Sequence, residues 1–331
     1  MPTTRHLAGH AVSAIGLGCM NLSHAYGSPP PFDEAEHLLL RALDLGVTHF
    51  DTAALYGFGA NEELVGKVLS PHRKQIFLAS KCGMQGVDGK RVIDGRAATI
   101  KATCEDSLRR LRTDHIDLYT LHRWDKSLPI EESIAALADL VREGKIGAIG
   151  LSEVSAATLR RAYAVHPISA LQSEYSLWTR NPELGALQAC RELGVAFVAF
   201  SPMGRGFLSG KLRDPSTLDA KDIRASMPRF EPARYARNLA LLDQVQALAQ
   251  SSGYSLAQLA LAWLLARGSD ILPIPGTTQI AHLEENLSAQ TIAPDASLLL
   301  QIEGVLAPLS IQGGRYNDAS QAEVDTEEFG R

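Results

Sequence analysis

Eight short apolar runs, each followed by a segment with helical spacing, constrain the fold of this chain more than any other feature. They read VSAIGLGCM, VTHFDTA, QIFLASK, DHIDLYTLH, IGAIGLS, ISALQSEY, VAFVAFSP and DILPIPG. Runs this short, rich in Val, Ile and Phe, suit strands covered on both faces by helices. Between them lie helical patterns from Asp33 to about Leu45, with Asp33 suited to capping the first turn, and through NEELVGKVLS. Others run from Arg96 to Arg112, through IEESIAALADLVREGK as far as Gly144, from Ala156 to Ala164 and from Pro182 to Leu193. IAHLEENLSA follows the eighth run. Eight such units predict an α/β chain folded as a (β/α)8 TIM barrel: one domain over residues 1–331, opened by an N-terminal β-hairpin and carrying long loops at its C-terminal mouth. An open doubly wound sheet is the alternative. It would show a glycine fingerprint after its first strand, but Gly16 and Gly18 are followed by Asn21 and Leu22 instead of a third glycine.

The chemistry collects at the ends of these runs. Asp51, Lys81 and His122 each stand at a C-terminal tip, and Tyr56 follows five residues after Asp51. In a barrel those tips share one mouth. A free phenol titrates near ~10, and a neighbouring lysine cation is expected to lower that value. A carboxylate would hold the ammonium, and an imidazole would hydrogen-bond a substrate oxygen. Any one of these side chains alone reads as structural. The four together read as a proton-donating site for carbonyl reduction.

One connection breaks the rhythm: about thirty residues of polar, Gly and Pro character run from Pro202 to about Ala233. It opens with SPMGRGFLSGK, in which Gly204 and Gly206 would let backbone amides approach an anion and Arg205 or Lys211 would add charge.

Composition excludes several classes. Lys and Arg total 32 against 37 Asp and Glu, a net charge of −5 with no long basic run, so a nucleic-acid surface is not expected. The four cysteines, Cys19, Cys82, Cys104 and Cys190, form no CxxC pair, which fits a reducing compartment. MPTTRHLAGH lacks the apolar stretch of a signal peptide. No window of about 18 apolar residues would span a membrane, and the ten histidines show no metal-ligand spacing such as HExxH. A cytoplasmic protein without metal, acting on a small molecule, is expected. No exposed apolar stripe indicates an oligomeric state.

The motifs GLGCM, FDTAALYG, LASK, LHR, GLSEVS, LQSEYSLW, VAFSPMGRGFLSGK and LPIPGTT…LEENLSA occur in that order. With the helix LALAWLLARG and the tail GGRYND, this set resembles the bacterial, fungal and plant branch of the aldo-keto reductase superfamily nearly end to end. The resemblance implies NAD(P)H-dependent reduction of aldehydes or ketones. Tyr56 would be the proton donor, tuned by Lys81 and Asp51, with His122 orienting the carbonyl. Ser152, beside Glu153, and Gln172 would hydrogen-bond the nicotinamide carboxamide, and Phe200 would stack on its ring. Cys19 and Met20 would stand on the cofactor wall. Ser201, Pro202, Met203, Gly204, Arg205, Gly206 and Lys211 match the pyrophosphate loop, and Glu285 and Asn286 the adenine contacts.

Two departures from the pattern bear on function. Glu153 replaces a common Asn, and the segment that usually grips the 2′-phosphate with Lys or Arg reads Gly276, Thr277, Thr278, Gln279, with His282 in place of a more distal Arg. Hydroxyls and a helix N-terminus still bind phosphate, so NADP(H) is favoured with blunted preference and NAD(H) stays possible. Tyr26, Leu55, Met84, Arg123, Trp124 and Arg229 are the candidate substrate contacts: Trp124 as a wall, Arg123 or Arg229 as sites for an anionic substrate. A cofactor-sensing barrel bound to a partner is the alternative from another class; an aldolase or isomerase using Lys81 as a Schiff base is a further one.

Overall fold

A computed structural model describes residues 4–330. An antiparallel hairpin of β1 (Thr4–Leu7) and β2 (His10–Ser13) comes first. Eight parallel strands follow in the order β3 (Leu17–Gly18), β4 (His49–Asp51), β5 (Phe77–Cys82), β8 (Ile116–Leu121), β9 (Ile146–Ser152), β10 (Ala170–Glu174), β11 (Ala196–Phe200) and β12 (Ile271–Ile274). Backbone bonds from Gly16 N to Pro273 O (3.0 Å) and from Gly18 N to Pro275 O (3.1 Å) join the two ends of this sheet. The predicted (β/α)8 barrel is the observed fold.

Gly18 makes that seam possible. A Cβ there would sit 2.9 Å from the carbonyl oxygen of Ile274, inside any tolerable contact. The short first strand is therefore set by close backbone approach at closure, and most of VSAIGLGCM is hairpin and connection instead of barrel strand.

Helices α1 (Phe32–Asp44), α2 (Ala60–Leu69), α3 (Ala97–Leu111), α4 (Ile130–Arg142), α5 (Ala156–Val165) and α6 (Ala186–Leu193) cover successive strands. α7 (Pro232–Ser251) and α8 (Leu256–Ala266) lie between β11 and β12, and α9 (Ile280–Ser288), α10 (Ala296–Val305) and α11 (Asp318–Ala322) complete the chain. Asp33 does not cap α1. Pro31 occupies the cap position, and Asp33 falls in the first turn, where its charge still complements the helix dipole.

Inside the barrel, strand alternation builds two layers. Phe77, Ala79, Leu118, Ala148, Ala170, Val198 and Leu272 fill the lower interior, and Leu7 and Val12 of the hairpin pack against them. Continuing the same period of two along each strand brings Lys81, His122, Ser152, Gln172 and Phe200 to the opposite end. The residues that plug the bottom thus fix which residues face the mouth.

Three structures crown that mouth. The hairpin of β6 (Met84–Val87) and β7 (Lys90–Ile93) turns at Asp88 and Gly89, both left-handed with φ 49° and 73°, as a two-residue primed turn requires. The sequence reading missed it, although Asp-Gly between short alternating runs is its signal. The long connection after β11 is ordered by four 3-10 turns between Gly204 and Phe230. The C-terminal segment is the third, with Tyr316, Asn317, Ser320 and Glu323 on the cavity wall. Gly18→Ala should weaken the seam and lower stability by about 1–3 kcal/mol, as overpacking does, read as a lower urea midpoint with unchanged slope. An unchanged midpoint would show that the seam tolerates a methyl group.

Candidate active site

The mouth opens into a cavity of about 900 Å³ that runs from Tyr56, His122 and Met84 at one end to Thr278, Glu285 and Asn286 at the other. At its floor lies a hydrogen-bonded chain. Lys81 is 1% exposed, and its ammonium meets three acceptors: Asp51 Oδ1, Thr52 O at 2.8 Å and the Tyr56 hydroxyl at 3.1 Å. Three donors and three acceptors leave no ammonium proton unpaired. The other carboxylate oxygen of Asp51 accepts from Gln172 Nε2 at 2.8 Å. The His122 ring stands edge-on to Tyr56, centroids 5.7 Å apart at 85°.

Burial disfavours the Lys81 charge, but Asp51 and Tyr56 outweigh it and hold the ammonium above its ordinary value of 10.5. For Tyr56 the balance falls the other way from the sequence expectation. Desolvation raises the phenol more than Lys81 lowers it, so it lies above its ordinary 10.0 and keeps its proton at neutral pH. His122 is pushed well below 6.5 by burial, then by Arg123 and Lys81, and is neutral. A protonated phenol and a neutral imidazole beside a fixed cation can donate hydrogen bonds to one oxygen and deliver one proton to it.

Further along the cavity lie Met20, Ser152, Gln172, Phe200, Ser201, Pro202, Met203, Arg205, Gly206 and Lys211, then Gly276, Thr277, Thr278, Gln279, His282, Glu285 and Asn286. Tyr26, Leu55, Met84 and Arg123 line the end near Tyr56. The long connection holds Ser201 (φ 48°), Gly204 (54°), Arg205 (56°) and Gly206 (90°) in left-handed conformations. Two of these are not glycine, and such strain at a cavity wall is a mark of binding sites. The chain's donors fit a dinucleotide phosphate here: Lys211 on the wall, the Thr278 hydroxyl, and the N-terminus of α9 directly after Gln279.

Lys81 lies behind Tyr56 and does not itself line the cavity, and five further sequence assignments do not reach it. Cys19 and Glu153 carry the outward parity of their strands, one residue after inward Gly18 and Ser152. Cys19 is wholly buried among the helices, its thiol toward Leu17 O at 3.7 Å. Glu153 instead pairs with Arg315 of the C-terminal segment (3.0 Å) and accepts from Glu174 N. Gly204 lies against Trp178, whose ring a Cβ would meet at 3.0 Å. Trp124 turns away, its indole donating to Leu128 O at 2.9 Å with the Arg161 guanidinium over its ring. Arg229 is buried, donating to Trp178 O, Thr179 Oγ1 and Gly313 O, so it fastens loops and faces no substrate. Arg205 does line the cavity, but its charge is taken by Glu174 at 2.8 Å and it offers no free cation.

Sequence reasoning also missed His24, Arg91, Arg224 and the tail residues Tyr316, Asn317, Ser320 and Glu323, all on the cavity wall. The GGRYND tail was a signal without an assigned role. Contacts across hundreds of residues, such as Arg91 to Glu323 at 2.6 Å, leave no local trace in a sequence.

The Aldo/keto reductase family model matches residues 14–306. The chain is 40% identical over 329 residues to the NADP(+) aldo-keto reductase yakc of Schizosaccharomyces pombe, covering 97% of this chain and 96% of that protein. Among solved structures it is similar to a glycerol dehydrogenase from Gluconobacter oxydans, with TM-score 0.84, 29% identity and coverage of 92% and 96% of the two chains. The holo form of an aldo-keto reductase from Bacillus halodurans gives TM-score 0.78 at 29% identity, covering 96% and 99%. With a buried lysine hydrogen-bonded to a tyrosine at the floor of a barrel cavity and a family match over most of its length, the chain belongs to the aldo/keto reductase family of NAD(P)H-dependent carbonyl-reducing enzymes.

Proposed function

We propose that Tyr56 is the proton donor in NADPH-dependent reduction of an aldehyde or ketone to the alcohol, with Lys81, Asp51 and His122 as its partners. The observation that carries this reading is the contact of Lys81 Nζ with the Tyr56 hydroxyl at 3.1 Å, made while Asp51 holds the same ammonium. When bound, the nicotinamide cofactor supplies the hydride. The protein's groups handle the oxygen. His122 offers an N–H to the carbonyl oxygen and so orients it. As negative charge builds there, the Tyr56 O–H transfers its proton, and the phenolate left behind is stabilised by the Lys81 cation. Asp51 keeps that ammonium in place, and Gln172 fixes Asp51 in turn. The amide oxygen of Gln172 and the Ser152 hydroxyl are left to orient the carboxamide, with Phe200 as the stacking face. Lys81 is not a Schiff-base nucleophile, because it is buried and fully hydrogen-bonded as an ammonium.

The cation that the segment Gly276–Gln279 lacks is supplied from another loop. Lys211 reaches across to His282 Nε2, beside Thr278 and Gln279 on the cavity wall. Burial and Lys211 together lower His282, so one positive charge stands there on the lysine. This supports NADP(H), in keeping with the NADP(+) in the name of the Schizosaccharomyces pombe relative. Free, buried thiols at all four cysteines support a cytoplasmic setting, and no helix among the described residues is long and apolar enough to cross a membrane.

NADPH oxidation followed by absorbance with 4-nitrobenzaldehyde tests the proton donor. Tyr56→Phe should lose roughly 10²–10⁴-fold in kcat while binding NADPH nearly as wild type, and full activity would remove the mechanism. The raised phenol also sets the pH profile. Reduction needs the protonated form and should stay flat from pH 6 to 9, whereas alcohol oxidation needs the phenolate and should climb about tenfold per pH unit. A reduction rate that falls below pH 8 would contradict the assignment. Lys211→Met should weaken NADPH about tenfold or more, and NADH far less, in a fluorescence titration, since a charged hydrogen bond is lost. Equal weakening of both cofactors would place Lys211 away from the 2′-phosphate.

A further inference from the structure

Four arginines line the cavity, and folding gives three of them a carboxylate. Arg91 pairs with Glu323 at 2.6 Å, Arg205 with Glu174 at 2.8 Å and Arg224 with Asp222 at 2.6 Å. Arg123 has no carboxylate partner among the described residues. Its Nη1 donates to the backbone carbonyl of His122 at 2.7 Å and to the Ser152 hydroxyl at 3.3 Å, both neutral acceptors. Its Nε is buried with no partner at all. A half-buried guanidinium with an unmet donor and unmatched charge is costly unless something else meets it. Its position is also specific. Arg123 follows His122 directly, and its field reaches both that ring and the Tyr56 hydroxyl.

The other candidate for this role is gone, since Arg229 is committed to loop carbonyls outside the cavity. Lys211, the remaining cation without a carboxylate on the wall, stands at the far end beside Thr278. The cavity therefore presents two unpaired cations, one at the phosphate end and one beside the proton donor.

We propose that Arg123 determines substrate specificity by binding an oxyanion, carboxylate or phosphate, carried by the carbonyl substrate itself. This rests on the reductase reading above and narrows its substrate class to oxo-acids and phosphorylated aldehydes or ketones. A guanidinium suits either anion because its planar donors match two oxygens at once. The anion would add a partner for Arg123 and hold the carbonyl near His122 and Tyr56, which lowers KM chiefly and kcat less.

Matched pairs test this: 4-carboxybenzaldehyde against methyl 4-formylbenzoate, and glyceraldehyde 3-phosphate against glyceraldehyde, each with NADPH. In the wild type, kcat/KM for the anionic member of at least one pair should exceed its neutral partner by about tenfold or more, as for a hydrogen bond to a charged group. Which pair shows the preference identifies carboxylate or phosphate. Arg123→Met should bring that ratio toward one, mainly through KM, and Arg123→Lys should restore part of it. As a binding readout, benzoate should bind the wild type at least about tenfold tighter than benzamide in calorimetry. That difference should shrink as salt is raised. It decides the matter even if the methionine variant does not fold.

Ratios at or below one in both wild-type pairs overturn the proposal. So does a ratio unchanged in Arg123→Met, or a loss in that variant explained wholly by weaker NADPH binding, which would assign the guanidinium to the cofactor. If neither member of either pair is reduced, the reductase reading itself fails, and the two failures are thereby told apart.

Discussion

Everything at the mouth of this barrel depends on one buried ammonium. Lys81 lies almost wholly out of water, and an unpaired charge at such depth would neutralise itself or disrupt the fold. Asp51, one strand away, makes the charge tolerable, and Thr52 O and Tyr56 take the two remaining protons. The arrangement is held from outside as well, because Gln172 on β10 hydrogen-bonds the far oxygen of Asp51. Removing either ion would leave the other buried and uncompensated, which costs far more than the pair itself contributes. What the pair provides is a cation aimed at a phenol that keeps its own proton.

The same logic of buried pairs fastens the cover. Glu153 and Glu174 stand at the ends of β9 and β10, and each takes an arginine from a segment far away in sequence. Arg315 brings in the C-terminal tail, and Arg205 the long connection after β11. Asp325 then bonds Ser155 and Thr158 at the start of α5. Replacing an amide by Glu at position 153 thus exchanges a donor for an anchor, and the tail that follows supplies part of the cavity wall.

The barrel and the four residues at its floor were legible in the sequence because both follow from local rules. Short β-rich runs alternating with helices announce the fold, and a strand's period of two sends Lys81, His122, Ser152 and Gln172 to one end. That period also excluded Cys19 and Glu153, each one residue out of phase, where motif membership alone had included them. Trp124 and Arg229 were misread because a side chain just past a strand, or on a long connection, can turn either way, and its partners (Leu128 and Gly313) are fixed only by the fold. The direction of the Tyr56 shift escaped for another reason. A sequence names the cation beside a phenol but not the depth of its burial, and here burial decides the sign. Pairings such as Lys211 with His282 and Arg91 with Glu323 join loops that have no regular spacing between them.

The central claim is that Lys81 and Asp51 act as one unit upon Tyr56, and a double-mutant cycle on kcat tests it most directly. Lys81→Met and Asp51→Asn, in protein still able to bind NADPH, should each lower kcat for aldehyde reduction by roughly 10²-fold or more, and the double variant should be no worse than the poorer single by more than about threefold. Losses that multiply in the double variant would mean that the two residues act independently, and would contradict the account.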